Sequence, residues 1–300
     1  MNTFPNMKAP KSPRADKGLH GPRLSKAAFR RIAALAMREA GLSIAESKAD
    51  MVRTRLARRL RALQLVDFDD YCSHVESAEG QIELGLMISA LTTNVSHFFR
   101  EKHHFELLKT QILPELARRP GAEPIRIWSA GCANGQEPYS IAMTLAEADL
   151  HAVRGARILA TDIDPTVVEF GKAGAYPEHM LGGLSEQQRS RFLHQQEKNG
   201  QAFGVDLRSM ISFRVLNLLN PWPMTGQFDV IFCRNVVIYF DMETQATLWR
   251  RFASILAPGG WLMLGHSERI HTSAEKYFGK AHVTAYRRTG ELAPLNGKVR

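Results

Sequence analysis

The sequence predicts a doubly wound α/β sheet, preceded by a small all-α region and interrupted by a small antiparallel β insertion. Three observations carry that expectation. Residues 125–140, IRIWSAGCANGQEPYS, read as a strand, a glycine-containing turn and a helix that runs on after Pro138. A second buried-type strand over 158–161 ends at Asp162. Further apolar strands end on Asn217-Leu218 and on Arg234-Asn235, and an Ala-Pro-Gly-Gly turn at 257–260 leads into another. In open α/β sheets ligands bind beyond the carboxyl ends of the strands. Polar residues recurring there outline a crevice of the kind that holds a nucleoside.

Composition narrows the classes. The chain has 300 residues, 44% of them hydrophobic, enough for one large core or two smaller ones. Its amino terminus is polar and Pro-rich, which predicts no signal peptide, and no apolar run approaches the length of a membrane span. The three cysteines, Cys72, Cys132 and Cys233, are far apart and lack CxxC or metal spacing. They predict reduced thiols in a cytoplasmic protein without a metal. Net charge is +9, but residues 1–61 hold 15 basic against 4 acidic side chains, so +11 lies there and −2 in the rest. An acidic partner is expected at that end, and both nucleic acid and an acidic protein surface fit.

Along the chain, residues 1–22 are rich in Pro and Gly and predict a disordered tail. Residues 24–41 form a helical pattern, with Ser25 as N-cap and Gly41 just past its end. A second helix is expected over 43–65. At 100° per residue its Val52, Leu56, Leu60 and Leu63 share an apolar arc of roughly 80°. Arg53, Arg55, Arg58, Arg59 and Arg61 fill the remaining circumference. A run of charges is usually a solvated helix face. Like charges at these spacings repel, however, so five arginines within nine residues favour a docking face. Short helices follow over 67–90.

Residues 91–100, LTTNVSHFFR, join this region to the sheet, with polar side chains beside two phenylalanines as in a pocket lining or a capped helix start. His97, His103 and His104 have no Cys or carboxylate partners at ligand spacing and read as structural or exposed. Asp162 at its strand end suits the hydroxyls of a ribose held over the first glycine turn. Asp164, before Pro165, suits a cap on the helix over 167–172. Ser185 and Gln188 are spaced as a capping box, and Asn199-Gly200 marks a hairpin, so 176–212 reads as an inserted element. Strands are expected over 228–233 and 282–288, with a helix over 244–256 between them. The first turn is GCANG and not GxGxxG, which disfavours a dinucleotide.

Four blocks, LTTNVSHFFRE at 91–101, WSAGCANGQEPYS at 128–140, FDVIFCRNVVIYF at 228–240 and LAPGGWLMLGHSE at 256–268, make the resemblance specific. In this order, with the basic second helix, they resemble the CheR family of chemotaxis receptor methyltransferases, protein-glutamate O-methyltransferases. The resemblance covers nearly all of residues 24–288. It implies a Rossmann-like methyltransferase sheet at 91–289 that binds S-adenosylmethionine and releases S-adenosylhomocysteine. It implies a receptor-docking helical domain at 23–90 and a flexible tail at 290–300. Asn94, Ser96 and Arg100 would contact the cofactor, Glu137 its methionine amino group, and Asp162 its ribose. Asn217 and Leu218 would flank the adenine, Arg234 and Asn235 would complete the pocket, and Tyr239 would face the substrate. Arg100 and Tyr239 are the expected orienters of the acceptor carboxylate. The family usually has Thr where this chain has Ser96, and the hydroxyl is kept.

The implied partners are methyl-accepting chemotaxis receptors, whose Glu-rich helical regions would meet the basic helix. A monomer recruited to membrane receptors without membrane insertion is expected. Some members also bind a receptor's C-terminal peptide through a longer, Gly-containing loop in the inserted element. The short EKNG connection here predicts no tight tether. Two rivals stand beside this reading. An RNA methyltransferase would want aromatics among the basic residues, and residues 24–65 hold only Phe29. A cofactor-sensing adaptor without turnover would not need Arg100, Glu137, Asp162 and Tyr239 together.

Overall fold

The computed structural model of the protein describes residues 22–119, 123–148, 155–196, 200–271 and 274–289. The expected tails at 1–22 (Pro22 apart) and 290–300, and Asn199 of the expected hairpin turn, lie outside these residues.

Four helices form the N-terminal unit. Helix α1, Lys26–Ala40, begins at Ser25, whose side chain accepts from the Ala28 N–H, and ends at Gly41 with φ 65°. A Cβ on Gly41 would come within 2.9 Å of Leu219 and 3.0 Å of Phe240. The close approach and the left-handed φ both require glycine here, and the helix end is thereby pressed against the second unit. Helix α2, Ala49–Ala62, is shorter than expected because its first turn is a separate 3-10 segment, Glu46–Lys48. Its Val52, Leu56 and Leu60 are buried against Phe29, Ile32, Leu35, Phe68 and Tyr71, whereas Leu63 is a half-buried cap. Helices α3, Phe68–Glu76, and α4, Gln81–Leu91, complete the bundle.

The connector leads into α5, His103–Leu107, a π-turn over Leu108–Ile112, and α6, Leu113–Ala117. The sheet then starts with β1, Arg126–Ala130, followed by α7, Gln136–Ala148. That helix begins before Pro138, not after it. A proline is tolerated in a first turn because its missing N–H has no intrahelical partner there. Next come β2, Arg157–Asp162, and α8, Pro165–Ala173, capped by Asp164 as expected.

The inserted element is a three-stranded antiparallel sheet rather than a hairpin. Strand β3, Ala175–Pro177, pairs with β5, Gly200–Phe203, which also pairs with β4, Leu193–Gln196. Helix α9, Glu186–Phe192, has the Ser185–Gln188 capping box in place, and α10, Val205–Ser209, follows β5. Strands β6, Ile211–Val215, and β7, Phe228–Cys233, return to the main sheet, followed by α11, Met242–Ile255. The Ala-Pro-Gly-Gly segment is not a turn before the next strand but part of β8, Leu256–Leu264, where the register with β7 shifts between Phe228 and Val230. Gly259 takes φ 71° at this irregularity. Strand β10, Ala285–Arg288, is preceded by β9, Phe278–His282, which the sequence did not announce. Only Phe278 of β9 is buried, so the strand lacks an alternating pattern.

The main sheet has the order β6-β2-β1-β7-β8-β10-β9. Five strands are parallel, and β10 and β9 are antiparallel. Successive strands leave β1 on opposite sides, so the chain's topological switch lies at the carboxyl ends of β1, β2 and β7. Two apolar cores cover the sheet. One holds Tyr139, Phe203, Phe213 and Phe232, and the other Trp128, Phe228, Trp249 and Phe252.

Candidate active site

A cleft opens at that switch point and holds about 1040 Å³, its solvent-facing mouth included. Its walls contain Asn94, Ser96, Arg100, Glu137, Asp162, Asn217, Leu218, Arg234, Asn235 and Tyr239. These are the ten cofactor and acceptor residues named from the sequence, brought together from the connector, three strand ends, a helix start and the 3-10 turn that carries Tyr239. Ala40, Leu42 and Leu91 of the helical unit close one side.

The first turn is built on two glycines in the left-handed region. Gly131 and Gly135 both have φ 87°. A Cβ on Gly131 would sit 2.3 Å from Val236, and one on Gly135 would sit 2.8 Å from the Tyr176 hydroxyl. The glycines therefore serve the turn and its packing. Asp162 then fixes the turn's position. Its Oδ2 accepts the Ala133 N–H at 2.9 Å and its Oδ1 the Asp164 N–H at 3.0 Å. Burial pushes its carboxyl up, and those backbone donors pull it back. Asn94 donates to Asp164 at 2.9 Å, which ties the connector to the second strand end.

Glu137 lies in the first turn of α7, where a carboxylate complements the helix dipole. Its Oε1 accepts from Ser129 at 2.7 Å and its Oε2 from Arg234 at 3.1 Å. Burial raises its carboxyl, with Arg234 and Ser129 opposing. Arg234, 2% exposed in its side chain, also lies 3.4 Å from Glu101 and donates to the Arg100 carbonyl. Its guanidinium sits 5.7 Å over the Phe105 ring. Two partly buried carboxylates, 11% and 12% exposed in their side chains, thus share one buried cation, and the trio carries one surplus negative charge. Burial raises the Glu101 carboxyl, but Arg234 and the donors of His266 outweigh it and hold it below its ordinary value.

The remaining residues sit at the rim. One Arg100 nitrogen donates to the Val95 carbonyl at 3.0 Å. The Asn217 amide donates to the Glu39 carbonyl at 2.7 Å and its oxygen accepts from the Leu219 N–H. This side chain, expected beside an adenine, therefore also clamps the helical unit to the sheet. The Tyr239 carbonyl accepts from the Ser43 N–H at 2.9 Å. Arg251, unforeseen, holds the carbonyls of Leu218, Leu219 and Asn220 and lies 4.1 Å over Trp222.

Two expectations need correction. Arg55 and Arg59 do not face solvent as part of a free docking face. Arg55 holds the carbonyls of Leu91 and Thr92 and the Thr93 hydroxyl. Arg59 makes a bidentate pair with Glu83, which is 5% exposed and also accepts from Tyr71. Arg59 lies roughly 20° from Val52 on the helical wheel, at the margin of the apolar arc. Arg53, Arg58 and Arg61 remain outward over an arc of roughly 140°. Arg53 is paired with Asp50 at 3.3 Å, and Arg58 and Arg61 are exposed.

The histidines are exposed (His97, His103) or structural (His104) as expected, but they do have a carboxylate neighbour. His104 is fully buried, with Nδ1 3.7 Å from Glu101 and Nε2 2.9 Å from the Thr284 hydroxyl. Burial, with Arg234 and His103, pushes it down to about 3, so it is neutral. Glu101, His103 and His104 have ligand atoms within 4.8 Å of one another, a carboxylate partner that the sequence reading overlooked. Arg234 beside Glu101 supplies the positive charge at that spot. Glu101 and Ser129 stood inside the quoted blocks, but nothing in the sequence shows which side chains point at Arg234 and Glu137.

The surplus charge fits a ligand ammonium, and the strand-end crevice fits a nucleoside, as S-adenosylmethionine requires. Among the described residues no helix is long and apolar enough to cross a membrane. Comparison with known proteins agrees with that cofactor. Residues 94–287 match the family described as "CheR methyltransferase, SAM binding domain", and residues 27–92 its "all-alpha domain". A "Probable chemotaxis protein methyltransferase" of Rhizobium etli is 45% identical over 256 residues, covering 84% of this chain and 96% of the relative. The "Chemotaxis protein methyltransferase" of Escherichia coli is 42% identical over 269 residues, covering 88% and 91%. That of Salmonella typhimurium is 44% identical over 260 residues, covering 85% and 88%. The chain belongs to the CheR methyltransferase family, and its cofactor is S-adenosylmethionine.

Proposed function

We propose that the protein transfers a methyl group from S-adenosylmethionine to glutamate side chains of chemotaxis receptors, giving glutamate methyl esters and S-adenosylhomocysteine. The observation that carries the reading is the negative surplus around Arg234. Glu137, half-buried and only partly compensated by Arg234, accepts the ammonium of the methionine moiety in this reading. Asp162 holds the first turn against the second strand end and keeps further lone pairs for ribose hydroxyls. Leu218 and the segment pinned by Arg251 supply the apolar wall for the base.

The cofactor supplies a methyl group activated on a sulfonium. The acceptor is anionic at neutral pH, with an ordinary pKa of ~4.3, so no residue has to remove a proton. His97, which burial and Arg100 keep below its ordinary value, needs no such role. The work left to the protein is alignment and exclusion of water. Arg100 and Tyr239 at the rim orient the incoming carboxylate. Charge is lost as anion and sulfonium combine, so a tight ion pair to the acceptor would slow the step. A rim arginine with solvent on one side avoids that.

Arg53, Arg58 and Arg61 give the helical unit an outward positive face for the acidic helices of a receptor, without nucleic acid or membrane insertion. Receptor docking there depends on salt. In the insertion, Gln196 pairs directly with Gly200, leaving three residues between them, which supports tether-independent recognition. The deciding experiment is tritiated methyl transfer into receptor membranes and, in parallel, into RNA. Base-labile label in receptor supports the proposal; label in RNA, or none, refutes it. Low-micromolar binding of a receptor-tail pentapeptide by calorimetry would refute tether independence alone.

A further inference from the structure

Glu268 closes the fourth sequence block and lies outside the residues assigned to cofactor and acceptor. It is 2% exposed, and backbone N–H groups occupy both carboxylate oxygens. Oε2 accepts from Gly265 at 2.6 Å and Asn235 at 2.8 Å. Oε1 accepts from Val236 at 2.8 Å, Val237 at 2.9 Å and Ile238 at 3.3 Å. Successive amides converging on one anion form a nest, and here the anion is a side chain of the same protein. Burial raises this carboxyl, and the amides work against it.

The turn it holds needs such an anchor. Asn235 has φ 59°, a left-handed conformation that costs a non-glycine residue energy. The 3-10 turn Val237–Tyr239 follows, and its leading amides have no partner within the turn. Gln245 grips the other side, donating to the carbonyls of Val237 at 3.1 Å and Phe240 at 2.9 Å. Gly265 permits the approach. A Cβ there would lie 2.5 Å from Asn235 Nδ2, 2.7 Å from the Asn235 backbone nitrogen and 2.8 Å from Glu268 Oε2. Four of the five amides this carboxylate grips belong to the turn that brings Asn235 and Tyr239 into the cleft wall, and the fifth, Gly265, ties that turn to the end of β8.

We infer that Glu268 is a positioning residue of the methyl transfer: through five backbone N–H groups it sets where Asn235 and Tyr239 stand relative to cofactor and acceptor. The inference rests on the methyl-transfer reading above. It touches neither ligand, so it acts on alignment, to which such reactions are steeply sensitive.

The test uses the full chain, with Glu268→Gln as the first variant. Gln keeps the size but turns two donors toward amides that are themselves donors. Methyl transfer into receptor membranes is measured with both substrates varied. The expected result is a kcat lower by about tenfold or more with an unchanged receptor KM, because the helical docking face is untouched. A remote core variant, Ile112→Ala, controls for stability and keeps its kcat despite a lower Tm. Wild-type kcat in Glu268→Gln, or a parallel kcat loss in Ile112→Ala, overturns the inference. If Glu268→Gln does not fold, Gly265→Ala crowds Asn235 while leaving the carboxylate. A kcat loss there supports the inference, and wild-type kcat overturns it. Absence of transfer by the wild-type protein overturns the underlying reading instead.

Discussion

Replacing Glu137 by Gln separates a binding role from a structural one, because the two predict opposite signs. The side chain lies in a trio of two carboxylates and one guanidinium. Gln keeps the size and an oxygen for Ser129 or Arg234, and Glu101 remains to compensate Arg234. Removing a carboxylate whose burial raises its pKa relieves desolvation, so the ligand-free protein keeps its Tm within about 3 °C or gains. The ligand's ammonium, by contrast, loses a charge-assisted hydrogen bond worth about 1.5–3 kcal/mol. Dissociation of S-adenosylhomocysteine then rises ~10- to 150-fold. A pH dependence follows with a fixed sign. In the free protein Glu137 titrates above 4.5, and a bound ammonium favours its charged form, so binding releases a proton. Wild-type affinity therefore falls as the pH drops toward that raised value, and the variant loses this component. Calorimetry across mildly acidic to neutral pH, with thermal melts of the free proteins, measures both. Binding by Glu137→Gln within about twofold of wild type, or a large fall in Tm, would refute the assignment of Glu137 to the ammonium.

Charge reversal of Arg58 and Arg61 to Glu raises the receptor KM several-fold in a salt-dependent way and leaves cofactor affinity and stability unchanged; an unchanged KM sinks the docking face. Arg59→Ala instead destabilises the fold by about 3 kcal/mol in urea melts, because Glu83 loses its bidentate partner in a buried site. Equal stability would show that pair to be dispensable. Arg100→Ala lowers kcat/KM with stability changed by under ~0.5 kcal/mol, since its side chain makes one rim hydrogen bond; full activity with normal cofactor binding excludes the orienting role. His104 is neutral in the fold, at about 3 against an ordinary 6.5, so unfolding takes up a proton between those values. Stability is lost as pH falls through that window, by at most about 1.4 kcal/mol per pH unit. His104→Gln removes that slope, and a parallel pH profile in urea melts refutes it.

The strand ends were legible because each combines an apolar run with an abrupt polar stop, and Asp162, Asn217 and Arg234 mark three of them. The helix caps Ser25, Asp164 and Ser185 were legible for a local reason: each acts on amides within three residues. What stayed hidden is long-range pairing. Arg59 and Arg61 are alike in the sequence, yet one is sealed against Glu83 and the other faces water, because only the bundle's packing decides which side of the arc is covered. Glu101 and Ser129 gain their importance from Arg234 and Glu137, which fold brings near. Strand β8 absorbed its Pro-Gly-Gly segment because the irregular register beside Phe228 accommodates residues that ordinarily end a strand.

Gly41, pressed between Leu219 and Phe240, and the Asn217–Glu39 hydrogen bond place a seam between the helical unit and the sheet along one flank of the cleft. A ligand lying across a seam behaves as a strut, since melting either half removes part of its seat. The welding of the two halves is thus itself a ligand-dependent property. With the strut in place they come apart in one cooperative event, and a protease finds the 91–100 connector later. Without it, the helical half is held by the Gly41 packing and by the Asn217–Glu39, Ser43–Tyr239 and Asn94–Asp164 hydrogen bonds.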